Sequence, residues 1–241
     1  MKIAFITGGN RGIGLETAKE LGAQGYKVVL GVRDAAKVED ALSTLRGLGI
    51  DGEAIPYDAN DPKTDAGVKA YFEKKYGKLD VLVNNAGLMR EPAISETVIT
   101  GDDALLEETF AVNVFAVVRL TRTLLPLLEK SEAGRIVNLS SILGSLALHA
   151  DPASPIAPAK AFAYNASKAA LNAFTIHLAA ALKNTNIKVN SVHPGWVKTP
   201  LGGPHATDEL AGSGKTSARL ATIGSDGPTG GFFHLDQTLP W

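Results

Sequence analysis

Short apolar runs alternate with longer segments of helical period along most of this chain, and nothing else in the sequence restricts the fold as tightly. The runs cover residues 3–7, 27–32, 53–57, 79–84, 135–140 and 187–193. Several are almost continuously apolar, as in Val81-Leu82-Val83, the pattern of strands buried on both faces of a parallel sheet. Residues 12–24 place Ile13, Thr17 and Leu21 on one helical face and Glu16, Lys19 and Glu20 elsewhere. Asp61-Pro62 offers an N-cap and a first-turn proline to another helix. Residues 165–183 form a long Ala/Leu-rich helix. This β-α order predicts a Rossmann-type α/β fold, a doubly wound parallel sheet with helices on both faces and right-handed crossovers. Without a linker, repeat or shift in composition, residues 1–241 are expected to form a single domain. Two stretches break the rhythm. Residues 144–163 carry Pro152, Pro155 and Pro158 and read as a loop. Residues 200–231 are rich in Gly, Ser, Thr and Pro, with one possible helix at 208–222. Long irregular segments are usually functional or mobile, and a substrate lid is expected at about 200–222.

Composition removes several classes of function. The 24 basic and 25 acidic residues leave a net charge of −1, which gives no sign of nucleic acid or an anionic membrane as partner. With no cysteine there is no disulfide, thiolate-bound zinc, Fe–S cluster or thiol nucleophile. Five scattered histidines lack a His-x3-His pair, so no metal site is expected. No leader pattern precedes the first strand, and no apolar run is expected to approach the ~20 residues that span a bilayer. A soluble, cytoplasmic protein is the default expectation.

The first strand runs into Thr7-Gly8-Gly9-Asn10-Arg11-Gly12-Ile13-Gly14, and a helix follows. Glycines let backbone turn sharply and approach a pyrophosphate, while the helix N-terminus offers free N–H groups and the positive end of a dipole. The same turn also serves as a plain strand-to-helix junction. The second strand ends at Val32-Arg33, where no carboxylate stands to bind a ribose hydroxyl. Arg33 and Arg11 would suit a 2′-phosphate; equally, each is a solvated surface charge. Asp34 is expected to N-cap the next helix. Asp58, in Asp58-Ala59-Asn60, would accept from an adenine amino group or serve as a turn aspartate. Asn84-Asn85-Ala86-Gly87 ends the fourth strand, at the carboxyl edge where ligands lie in open α/β sheets.

Tyr164 and Lys168 are four residues apart on one helical face. A nearby cation favours the phenolate, so such a tyrosine could give a proton to a carbonyl oxygen or take it back. Ser140-Ser141 follows the fifth strand; a hydroxyl there holds a carbonyl oxygen or caps the strand end. Asn113 is an amide in an apolar helical stretch, a packing group or a relay through water to Lys168. Gly212-Ser213-Gly214-Lys215-Thr216 imitates the end of a P-loop, but Glu209 stands where its first glycine belongs, so the segment is assigned to the lid.

Taken in order, Thr7-Gly8-x3-Gly12-Ile13-Gly14, Asn84-Asn85-Ala86-Gly87, Asn113, Ser141, Tyr164-x3-Lys168 and Pro194-Gly195-x3-Thr199 resemble the classical short-chain dehydrogenase/reductase family across residues 7–199. Val29-Leu30-Gly31-Val32-Arg33-Asp34 and Leu239-Pro240-Trp241 are similar to the NADPH-dependent carbonyl reductases within it. The resemblance implies hydride transfer between NADP(H) and an aldehyde or ketone, a small-molecule carbonyl or alcohol substrate, and a homodimer or homotetramer. It implies a catalytic tetrad of Asn113, Ser141, Tyr164 and Lys168, with Tyr164 as acid/base. It implies that Gly8, Asn10, Arg11, Gly12, Ile13 and Gly14 hold the cofactor's phosphates. Arg33, Asp58 and Ala59 would hold the adenosine end, and Asn85, Ala86 and Gly87 would line the middle. Tyr164, Lys168, Pro194, Gly195, Val197 and Thr199 would hold the nicotinamide end. One departure is the Ser141–Tyr164 gap, longer than the family usually has, which resembles carbonyl reductase inserts. Residues near 88–98, 142–163 and 196–215 are expected to line an apolar substrate pocket. Two other functions compete: an NADP(H)-binding redox sensor without turnover, and epimerisation or dehydration on the same scaffold. The presence of Tyr164 and Lys168 opposes the first, and the lack of room for a substrate domain opposes the second.

Overall fold

In the computed structural model, which describes residues 1–34, 37–91 and 97–241 (the Thr97 side chain excepted), the expected α/β sheet is present. The described strands are β1 (Ile3–Thr7), β2 (Lys27–Val32), β3 (Gly52–Pro56), β4 (Val81–Asn84), β5 (Arg135–Leu139), β6 (Lys188–Val192), β7 (Phe232–His234) and β8 (Gln237–Thr238). They form one sheet in the order β3-β2-β1-β4-β5-β6-β7-β8. All neighbours pair in parallel except β7 and β8. The chain runs outward from β1 to β3, then crosses back to place β4 on the other side of β1. This reversal opens the crevice where such sheets bind ligands.

Strand residues alternate between two cores. Ala4, Ile6, Val28 and Leu30 face helices α1 (Gly12–Ala23), α2 (Val38–Gly47) and α9 (Lys215–Ala221), through Leu21, Leu45 and Leu220. Ile3, Phe5, Val29 and Leu82 face α3 (Lys63–Lys75), α6 (Ala116–Leu128) and α8 (Phe162–Ala181), through Phe72, Leu124 and Ala179. Both faces of the central strands are therefore buried, which explains their continuous apolar runs. Asp61 stands just before α3, its carboxylate accepting from Lys63 N at 3.0 Å, while the N-cap position itself falls on Pro62.

Several expectations need correction. The N-cap position of α2 is Lys37, not Asp34; the Asp34 carboxylate pairs with the Lys37 ammonium at 3.3 Å. The loop before Tyr164 contains α7 (Leu146–Ala150), and α8 begins at Phe162, so Tyr164 lies in its first turn. Short α4 (Thr97–Thr100) precedes α5 (Asp103–Phe110), which continues through a π-helical turn, Ala111–Phe115, into α6. This continuous helix, Asp103–Leu128, is long and apolar enough to cross a membrane by length and composition, contrary to expectation. Here it packs Leu120, Leu124 and Leu127 into the core. Strands β7 and β8 were not foreseen, because runs of three and two residues carry no readable period.

The segment 200–222, expected as a lid, ends in a buried helix. Helix α9 is core: Thr216, Ser217, Ala218, Leu220 and Ala221 are buried. Gly214 lets it approach α1, since a Cβ there would stand 2.5 Å from the Glu16 carbonyl carbon. Gly67 is the opposite case, an exposed glycine inside α3 with open space around its missing Cβ. Gly214→Ala should overpack this contact at a cost of about 1–3 kcal/mol, lowering Tm by roughly 3–10 °C. Gly67→Ala should raise stability by about 0.5–1 kcal/mol through helix propensity. Differential scanning calorimetry of the two variants tests the assignment through their opposite signs.

Candidate active site

The glycine turn follows β1 directly. Gly8 and Gly12 hold φ of 64° and 57°, a left-handed backbone that favours glycine. Gly8 N donates to Gly31 O at 2.8 Å, tying the turn to the end of β2. A Cβ on Gly14 would lie 2.5 Å from Gly8 O, so α1 packs against the turn as only glycine allows. The N-cap of α1, Arg11, makes no side-chain cap bond, and the first-turn N–H groups face outward at the positive helix end. Ile13 packs partly against the core and contributes its backbone rather than its side chain to this edge.

Thr7, not singled out from the sequence, organises the junction. Its hydroxyl accepts from the backbone N of Asn85 and of Ala86, both at 3.0 Å. The Asn85 amide donates back to Thr7 O at 2.8 Å. Its only sequence signal was its place at the head of the glycine motif.

The other expected binding residues are distributed around this turn. Val32 is buried at the tip of β2, while Arg33 and Arg11 are exposed. Asp58 Oδ1 accepts from Asn60 N at 3.0 Å, so one carboxylate oxygen forms an Asx turn. Ala59 O accepts from Arg119 at 3.1 Å. After β6, Gly195 has a φ of 100°, and Thr199 Cγ2 lies 3.8 Å from where a Gly12 Cβ would be. The Pro194–Thr199 segment therefore faces the glycine turn. Asp208 closes the loop beyond it: its carboxylate accepts from Trp196 N at 2.8 Å, its N donates to Trp196 O at 2.9 Å, and its O accepts from Lys198 N at 2.9 Å. Residues 92–96 of the expected substrate lining lie outside the described residues.

The chemical groups converge at the carboxyl ends of β4 and β5. Tyr164 and Lys168 are buried on one face of α8, the ammonium 5.6 Å from the phenol ring centroid. Lys168 Nζ donates to Leu139 O at 2.7 Å. The Ser141 hydroxyl accepts from Leu143 N at 3.2 Å and stands beside the Tyr164 phenol, whose pKa it lowers as a hydrogen-bonding neighbour. Ser140 points elsewhere, its hydroxyl 3.5 Å from Lys168 O. Gly144 permits this arrangement, because a Cβ there would come within 2.8 Å of the Lys168 backbone. Asn113 sits in the π-helical turn, a form frequent at functional sites. Its amide accepts from Leu88 N and donates to Leu88 O, both at 2.9 Å, and donates to Ser167 Oγ at 3.0 Å. A Cβ on Gly87 would lie 3.3 Å from Asn113 Oδ1 and 3.6 Å from Lys168 Nζ, so these three groups adjoin.

Burial dominates the electrostatics. It pushes the Tyr164 phenol up to about 12, against a smaller lowering by the Ser141 hydrogen bond. It pushes the Lys168 ammonium down to about 8. The expected lowering of the phenol by its lysine does not appear here: burial raises the phenol, and Ser141 is the group that opposes it. Near neutrality the phenol is a protonated donor. One buried acid was also missed: Glu91 accepts from Ala163 N at 3.1 Å and from Tyr164 N at 2.8 Å. No periodic or motif signal marks it.

A family model of short chain dehydrogenases matches residues 2–210. The chain belongs to the short-chain dehydrogenase/reductase family. Salutaridine reductase of Papaver bracteatum is 32% identical, over 98% of this chain and 95% of that protein. The alignment spans 301 positions against 241 residues here, so the relative carries insertions. Among solved structures, the carbonyl reductase Sniffer of D. melanogaster is 28% identical with a TM-score of 0.84, covering 100% of this chain and 99% of that one. The NADPH-bound carbonyl reductase from chicken fatty liver is 25% identical with a TM-score of 0.83, covering 100% of both chains.

As a short-chain dehydrogenase/reductase, the chain is an oxidoreductase of alcohol or carbonyl groups. Its long Ser141–Tyr164 gap leaves the choice between Ser140 and Ser141 to geometry, and geometry pairs Ser141 with the phenol. Ser141→Ala is expected to lower kcat by about 10²-fold, as loss of one oxygen-stabilising donor does. Ser140→Ala should leave kcat within about threefold. Steady-state kinetics showing the reverse ranking would move the oxygen site to Ser140.

Proposed function

We propose that this chain is an NADPH-dependent carbonyl reductase, reversibly an alcohol dehydrogenase, acting on an aldehyde or ketone. The observation that carries the reading is the buried trio of Ser141, Tyr164 and Lys168, with the serine hydroxyl beside the phenol and the ammonium over the phenol ring. The cradle fits a dinucleotide: left-handed Gly8 and Gly12 remove side chains from the turn, and α1 aims uncapped N–H groups out of it. Gly8, Asn10, Arg11, Gly12, Ile13 and Gly14 would hold the phosphates. Arg33 would meet the 2′-phosphate, with Asp58 and Ala59 near the adenine. Asn85, Ala86 and Gly87 would border the central ribose, and Pro194, Gly195, Val197 and Thr199 the nicotinamide. The bound cofactor supplies or accepts the hydride. Ser141 holds the substrate oxygen, and Tyr164 gives it a proton in reduction or removes one in oxidation. Lys168 holds the nicotinamide ribose and keeps positive charge beside the phenol, and Asn113 orders the proton path behind it.

NADPH-bound relatives support the cofactor choice, as does a β2 tip that carries Arg33 and no acid at Val32. A redox sensor without turnover needs no buried proton donor at the cleft, and this chain keeps one. The Asp103–Leu128 helix, packed into the core, supports a soluble cytoplasmic placement over a membrane-spanning one. In a homodimer or homotetramer built on α8 and the long helix, Phe115 and Phe162, 59% and 41% exposed, would be covered.

A carbonyl panel assayed with NADPH and with NADH tests the function. The wild type should prefer NADPH about tenfold or more, as one charged hydrogen bond implies. Arg33→Ala should raise the NADPH KM and leave NADH use nearly unchanged, and Tyr164→Phe should abolish turnover while retaining NADPH binding. No activity on any carbonyl, or full activity in Tyr164→Phe, would overturn the reading.

The raised phenol pKa also sets a pH dependence. Reduction uses the protonated phenol, which is abundant well below about 12. Oxidation uses the phenolate, whose fraction grows as pH climbs toward that value. Alcohol oxidation should therefore accelerate from roughly pH 6 to pH 9, while carbonyl reduction stays level or declines. Initial rates in both directions across that range check the sign.

A further inference from the structure

The first turn of α8, which carries Tyr164, has no cap of its own. Its N-cap residue, Ala161, offers no side-chain acceptor, and the first turn contains no acidic residue. The acceptors come instead from Glu91, whose two carboxylate oxygens take the N–H groups of Ala163 and Tyr164 at 3.1 and 2.8 Å. Glu91 is only 7% exposed, and both N–H groups belong to buried residues. Water does not readily replace the carboxylate there. A carboxylate at a helix N-terminus also gains from the dipole, and bonds to an ionised acceptor are stronger than neutral ones.

Glu91 lies four residues beyond Gly87, on a segment fastened at several points. Asn85 and Ala86 are held by Thr7, Leu88 by Asn113, and Arg90 by Glu108 at 2.7 Å. Glu91 reaches the backbone of Tyr164 itself. The phenol end of the same residue has Ser141 as its neighbour.

We propose that Glu91 is a positioning residue for Tyr164: by capping α8 from the segment after β4, it sets where the phenol stands relative to Ser141 and to the Asn85–Gly87 cofactor edge. This rests on the reading of Tyr164 as acid/base. Loss of the cap leaves two buried N–H groups without acceptors, and the turn must shift to find others. Shifts near 1 Å at a reacting group cost on the order of 10²-fold in rate.

The test uses Glu91→Ala and Glu91→Gln. Glu91→Ala should lower kcat roughly ten- to a hundredfold. The Kd for NADPH, read by its fluorescence, should stay within about twofold, because the glycine turn is untouched. Glu91→Gln keeps the shape and one acceptor, so it should recover most of the loss, to within about three- to fivefold of wild type. Amide hydrogen exchange at Ala163 and Tyr164, measured without substrate, should quicken in both variants. If the alanine variant fails to fold, Glu91→Gln decides alone: reduced kcat with faster exchange supports the role, and wild-type values for both overturn it. Equal losses in kcat and NADPH affinity, or a lowered Tm with unchanged kcat, would make Glu91 an ordinary structural cap. Faster exchange in a protein that reduces no carbonyl would uphold the cap and overturn the proposed function instead.

Discussion

One hydroxyl, on Thr7, joins the two strands between which the candidate site is laid out. Neighbouring β1 and β4 send their chains in different directions at their carboxyl ends, one into the glycine turn and one into Asn85-Ala86-Gly87. Thr7 bridges them by accepting two backbone N–H groups, and Asn85 answers by donating to Thr7 O. The close seat of Gly14 then places the start of α1 against the same point. Everything nearer the reacting groups is referenced to this junction: Leu88 through Asn113, and Asn113 through Ser167 to α8.

Beneath the strand ends lies a second polar system that fixes lateral position. Asn84 donates to Asn138 at 2.8 Å, Asn138 to Thr175 at 2.9 Å, and Thr175 shares a hydrogen bond with Ser191 at 2.8 Å. The chain crosses β4, β5 and β6 and ties them to α8. These bonds hold the three strands and α8 at one lateral spacing, while the Asn84 Oδ1 at the end of the network has no hydrogen-bond partner. A one-residue slip of α8 would separate Thr175 from both strands while moving Tyr164 away from Ser141. Register and site geometry are thus held by the same helix.

The sheet was legible because buried parallel strands have few ways to look other than Val28-Val29-Leu30 or Val81-Leu82-Val83. The family was legible because its motifs recur in order. What escaped has physical reasons. Glu91 works through backbone N–H groups some seventy residues away, a contact invisible to spacing. The Gly214 contact with α1 escaped because a glycine chosen for helix contact and one chosen for a loop are the same letter. Asp34 had the right residue type for a cap, but the helix starts after Lys37. The phenol's upward shift depends on how much water burial removes, which the Tyr-x3-Lys pattern does not encode. The choice between Ser140 and Ser141 needed the actual direction of each side chain.

The closure at Val197 and Asp208 separates two tasks that adjoin in the chain. Three hydrogen bonds between Asp208 and the Trp196–Lys198 backbone close the neck of the loop, on the side that faces the glycine turn. Not every residue between the two sides is free to change: a Cβ on Gly202 would collide with Val197 O, and Gly202 O accepts from Trp196 Nε1 at 2.8 Å. Lengthening a closed loop is inexpensive, about 0.6 kcal/mol for each doubling. The neck therefore bears on Gly202 as well as on Gly195, and a change of length costs least at the exposed tip, Pro204 and His205.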